Sequence, residues 1–181
     1  MGSNGRSVPH GPTNISVFGL SLQIAPATGG GCVYSGPFAN YTVNLGPVVF
    51  APVDGDGGLD YDPRCLTRDL SLVWSNNTKP TDVAKLLQSC DDIDCFDSIV
   101  EASDGVHASG HFTIGGLDVD AYASAGDPAF YLHHAQVDRM WTIWQNLNPA
   151  KRTRQVWGTG TAFNGESCSS YALHIPHGHV C

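Results

Sequence analysis

A chain of 181 residues with 9 basic and 17 acidic side chains, a formal charge of −8, repels phosphate backbones and anionic lipid surfaces, which argues against nucleic acid or a membrane as partner. Its 41% hydrophobic content and mean hydropathy of −0.11 fit one globular domain large enough for a real core. No apolar run approaches the ~20 residues of a membrane span.

The first 78 residues read as loop-rich, densest in Gly, Pro, Ser and Asn up to residue 64, with strand-like pieces at 15–22 and 41–45. The opening "MGSNGRSVPHGPTN" has no apolar h-region and does not read as a secretory signal. Three glycosylation sequons, at Asn14, Asn40 and Asn76, matter only in a secreted chain. The six cysteines suit either disulfides or free thiols, so the compartment stays open. Cys32 with Cys65 and Cys90 with Cys95 are the pairings to try first, on the sole ground that Cys168 and Cys181 fall in an atypical tail at 166–181.

From 79 to 150 the chain reads as helical. Val83, Leu86, Leu87 and Cys90 recur at helical spacing after Pro80, and Ile93, Phe96, Ile99 and Val100 repeat the pattern. Next comes "DGVHASGHFTIGG", where one surviving helical turn would point His107 and His111 the same way. Asp127-Pro128 is an N-cap followed by a first-turn proline, and predicts a helix to about residue 147. Lys151, Arg152 and Arg154 then suit the negative end of its dipole.

That last helix carries adjacent histidines. Phe130, His134, Val137, Trp141 and Trp144 fall in a four-three seam, which points His134 inward and, at about 100° per residue, sends His133 elsewhere. A buried imidazole ordinarily hydrogen-bonds carbonyls or carboxylates. With the His107/His111 pair upstream, His134 completes a compact three-nitrogen metal site instead, suited to copper, zinc, iron or nickel. Asp138, one turn on, could orient a ring N–H or pair with a cation such as Arg139. Ala108 excludes the zinc-protease pattern, which needs Glu directly after the first histidine.

The run "DPAFYLHHAQVDRMWTIWQ" resembles the CuB motif of tyrosinases, catechol oxidases and molluscan-type hemocyanins, Asp-Pro-x-Phe-x-x-His-His-x-x-x-Asp-Arg-x-Trp, and every fixed position matches. "VHASGHFTIGG" is similar to that family's two earlier ligands, and "GCVYSGPFANYTVNLGP" with "DPRCLTRDL" to the preceding stretch in short fungal members. The resemblance covers about residues 8–165. It implies a mainly α fold, part of the tyrosinase/hemocyanin di-copper helix bundle, with long irregular loops and few short strands.

It further implies copper held by His107, His111 and His134, with His133 and Asp138 as outer neighbours and Ala108 and Phe112 beside the substrate. The implied activity is oxidation of o-diphenols, or of monophenols, to quinones with dioxygen. Many tyrosinases carry Asn where Ala108 stands, which points to diphenols. The family's second copper, CuA, uses three histidines further N-terminal, and only His10 precedes the cluster here. The resemblance therefore implies a half-bundle, inactive or incomplete, which a dimer or a partner supplying the missing helices could offset. A non-catalytic metal-binding or dioxygen-carrier module and a non-functional gene fragment are the alternatives. The end "HIPHGHVC" offers His174, His177, His179 and Cys181 as a separate, weaker metal set.

Overall fold

The computed structural model describes residues 11–17, 20–48, 58 and 60–157, so the N-terminal segment with His10 and the tail with its histidines lie outside the described residues. The strand-like run at 15–22 is two strands rather than one: β1 (Thr13–Val17) and β2 (Leu20–Ile24) form an antiparallel hairpin with Thr13 opposite Ile24 and Val17 opposite Leu20. Farther on, β3 (Thr42–Val43) pairs antiparallel with β4 (Arg64–Cys65). The Cys32–Cys65 disulfide ties this short ladder to the preceding loop, and Cys90–Cys95 closes the turn between two helices. Both expected cysteine pairings are formed.

About half of the described residues are helical. After the single turn α1 (Leu72–Ser75) come α2 (Pro80–Ser89), α3 (Ile93–Val100), α4 (Val106–Ile114), α5 (Pro128–Leu147) and the short α6 (Pro149–Arg152). The starts follow capping chemistry. Asp82 accepts from the Lys79 backbone N–H (3.1 Å) ahead of α2, and Asp92 and Asp127 accept from Cys95 N (3.0 Å) and Ala129 N (2.8 Å) at the starts of α3 and α5.

Two apolar clusters hold the elements. The larger joins Leu86, Ile93, Phe96, Val100, Val106, Met140 and Trp144 from α2 to α5, and the smaller joins Val33, Val43, Leu66, Leu117 and Ala123 under the loops. α4 bridges them, since Val106 belongs to the first and Leu117, just beyond its C-terminus, to the second. Arg152 carries out the C-terminal role expected of the basic tail, donating to Trp144 O (2.9 Å) and Cys90 O (3.0 Å) and stacking on the Trp144 ring. Lys151 turns away to Asp91 (2.6 Å).

Along α5, Ala129, Met140 and Trp144 are buried, while Phe130, His133, His134, Val137 and Trp141 are all half-buried. His133 reaches α4 at Gly110, where a Cβ would overlap the imidazole, and His134 lies beside it.

Beneath the first turn of α5, Arg68 donates from Nε and Nη2 to the two Asp127 oxygens (2.8 and 2.6 Å), both groups being buried. Asp120 gathers the neighbouring loop by accepting from Val48 N (2.6 Å), Tyr122 N (2.9 Å) and Ala123 N (2.9 Å). The start of α5, and with it the height of its histidines, is thus fixed by two buried carboxylates.

Candidate metal centre

α4 survives as a helix, so His107 and His111 project from one face, four residues apart. Their Nε2 atoms stand 3.2 Å from each other. Each ring is held from behind. His107 Nδ1 meets Glu101 Oε2 at 2.7 Å, and His111 Nδ1 meets the Asp118 backbone carbonyl at 2.9 Å. Both outer acceptors require an N–H on Nδ1, which leaves both Nε2 atoms as bare lone pairs pointed at each other. Two lone pairs at that separation repel unless a cation lies between them.

His134 faces the same space from α5, with ring centroids 5.2 Å from both His107 and His111. The Phe130 ring packs on it at 4.1 Å and limits its rotation. Its Nε2 is buried and has no hydrogen-bond partner. An orphaned buried imidazole nitrogen is costly unless something occupies it. Such an all-nitrogen donor set suits copper.

Among the described residues, the histidines with one nitrogen each within a mutual 4.8 Å are His107, His111 and His133 rather than His134. Proximity alone does not make His133 equivalent to His134. The Nε2 of His133 sits 2.9 Å from the His107 carbonyl oxygen and must donate there, so that nitrogen has no lone pair for a metal. Burial, followed by the neighbouring imidazoles, pulls its pKa down to about 4, and the same two causes lower that of His134. Both rings are therefore neutral at neutral pH, as ligands and their neighbours must be.

The carboxylates around the cluster are not the one expected. Asp138 is exposed on α5, whereas Glu101 and Asp118 reach His107 and His111. The hydrogen bond to His107 holds the Glu101 carboxyl below its ordinary pKa. Burial raises that of Asp118, whose carboxylate oxygens make no hydrogen bond and lie 3.3 Å from His111 Nδ1, behind its own carbonyl. Asp118 arrives by way of a backbone reversal. Gly115 ends α4 at φ +65°, where the Asp69 carbonyl approaches too closely for any side chain, and a 3₁₀ turn (Gly116–Val119) then carries the chain back under His111. The sequence signal was present as acidic residues flanking the histidine pair six positions before and seven after, but a helix end intervenes on each side.

Of the other expected site residues, Phe112 stacks on Trp74 (4.8 Å between centroids), and Ala108 follows His107 on the same helix. On the far side of His133, an apolar groove of about 680 Å³ runs between α2, α4 and α5, lined by Val83, Leu87, Ile114, Leu132, Met140 and Ile143 among others. Gly110 separates this groove from the cluster. Gly110→Ala is expected to push His133 off α4, lowering both the melting temperature and copper affinity, and a thermal melt with a copper titration of the variant checks both.

Comparison with known proteins accounts for this arrangement. Residues 1–147 match the family described as the common central domain of tyrosinase. The chain belongs to the tyrosinase family. It is 38% identical over 156 residues to tyrosinase P of Aspergillus terreus, covering 80% of this chain and 44% of that protein. It is 33% identical over 180 residues to the tyrosinase-like protein orsC of Emericella nidulans, covering 91% of this chain and 48% of that one. A solved polyphenol oxidase (mutant G292N) from Thermothelomyces thermophila superposes with a TM-score of 0.75 at 38% identity, over 88% of this chain and 46% of that chain. The chain thus spans about half the length of the tyrosinase relatives it matches. The family is one of type-3 copper oxidases, and His107, His111 and His133 form a three-histidine grouping here that could hold a metal ion.

Proposed function

We propose that His107, His111 and His134 hold one copper ion, the CuB ion of the tyrosinase pattern, through their Nε2 atoms, and that the intact protein oxidises o-diphenols to quinones with dioxygen. The observation that carries this reading is the buried, unpartnered Nε2 of His134 beside the facing Nε2 atoms of His107 and His111. Bound copper would supply one-electron redox chemistry toward the phenol and dioxygen. The chain's own residues do the positioning: Glu101 and the Asp118 carbonyl fix two rings by their Nδ1 atoms, Phe130 braces the third, and His133 ties α5 to the α4 backbone. Ala108 and Phe112, each one residue beyond a ligand, belong on the substrate side. Ala108 offers no polar atom to take a monophenol's proton, which favours diphenols.

Two-metal chemistry needs a second ligand set, and only His10 precedes the cluster in this sequence. We assign those further ligands to a polypeptide segment outside residues 1–181, so that this stretch alone binds copper and turns over little or no catechol. Copper titration of the purified chain is expected to reach a single tightly bound ion, with catechol oxidation appearing only in the full-length gene product. A folded chain that binds no copper would overturn the site. A copper-loaded full-length protein inert toward o-diphenols would overturn the oxidase reading while leaving the site.

A further inference from the structure

The three sequons are not used by the metal centre, and the structure sorts them. Asn14, Asn40 and Asn76 are all exposed. Asn14 lies in β1, opposite Gln23. The other two sit where the backbone turns. Asn40 lies between a pair of turn hydrogen bonds, Ala39 N to Gly36 O (3.2 Å) and Tyr41 N to Phe38 O (3.1 Å), directly ahead of β3, which begins with the sequon's Thr42. Asn76 is the C-cap of α1. Its neighbour Asn77 turns the opposite way and donates to Ser109 Oγ (3.2 Å) on α4, so that of this asparagine pair the sequon residue is the one facing water. Neither Asn40 nor Asn76 lines the groove beside His133, so a bulky hydrophilic group on either leaves that face clear.

A sequon has meaning only where the transferase is present, and an independent feature bears on that. Cys32–Cys65 and Cys90–Cys95 are both closed, and disulfides persist in oxidising, secretory compartments. We infer that Asn40 and Asn76 carry N-linked glycans and that the protein folds in the secretory pathway. In the transfer step the side-chain amide nitrogen attacks the anomeric carbon of a lipid-linked oligosaccharide diphosphate. The new C–N bond replaces the C–O bond to diphosphate, and the amide proton leaves with the released lipid diphosphate, so no oxidant or reductant is needed.

The test is to express the protein from its own full-length gene in a filamentous fungal host and to digest both secreted and cell-retained fractions with peptide N-glycosidase in heavy-oxygen water. Peptides containing residues 40 and 76 are expected to carry the labelled aspartate left by glycan removal. Asn40→Gln and Asn76→Gln should each abolish one mobility step, and so should Thr42→Ala and Thr78→Ala, which keep the asparagine but remove the sequon. Unlabelled peptides from disulfide-bonded protein would overturn the inference, as would protein with free thiols and no glycan. Analysing the retained fraction alongside the secreted one keeps a variant that fails to leave the cell informative.

Discussion

Replacing His134 by alanine is expected to remove tight copper binding, whereas His133→Ala should weaken it by about 10-fold to 100-fold, the range for losing an outer partner that orients a ligand. The difference follows from where the nitrogens point. His134 Nε2 is buried and has no partner, and its ring centroid lies 5.2 Å from those of His107 and His111, so removing this proposed ligand leaves a two-nitrogen site. His133 Nε2 donates to the His107 carbonyl, and its loss frees α5 to shift against α4 without deleting a lone pair from the centre. Copper titrations of the two single variants, with circular dichroism to establish that both are folded, decide the matter. A larger loss from His133→Ala would mean that the His107, His111 and His133 grouping is the one that closes on the metal, by way of His133 Nδ1.

The same pair shows what the sequence made legible. The start, length and cap of α5 were readable because Asp127-Pro128 and a long amphipathic run are local signals, and the helical spacing of His107 and His111 needed only that α4 persist for its nine residues. The seat of His133 was not readable from the apolar pattern of α5, because it is made on another helix by Gly110, whose lack of a side chain admits the ring. Nor did spacing reveal Glu101 and Asp118: one lies at the C-cap of α3 and the other in a 3₁₀ turn beyond a glycine reversal, and both reach the imidazoles through loop geometry. Asp138 looked better placed by helical arithmetic, yet it faces water. The strand-like piece at 15–22 takes in parts of both β1 and β2 because apolar residues recur from one to the other in sequence.

The largest effect on stability is expected at Arg68, far from the metal in sequence but under the first turn of the helix that carries His134. Arg68→Ala leaves Asp127, fully buried, with its Ala129 N–H bond but without the guanidinium that neutralises it. Removing one member of a buried ion pair typically costs about 3–5 kcal/mol, a large share of the roughly 5–15 kcal/mol that holds a domain together. For a chain of this size that corresponds to a melting temperature lower by roughly 6–20 °C. The pair's mutual hold is visible on Arg68, whose pKa is raised first of all by its hydrogen bond to Asp127. Two variants separate the charge from the cap. Asp127→Asn keeps an N-cap oxygen for Ala129 N while removing the negative charge facing Arg68, and Asp127→Ala removes both, adding about 1 kcal/mol of lost capping. The double variant Arg68→Met/Asp127→Asn retains the cap, buries no charge at this site, and should recover much of the loss. Thermal melts followed by circular dichroism, with copper affinity measured well below each transition, test this. If Arg68→Ala melted with the parent protein, the buried pair would not be what anchors the His134 helix.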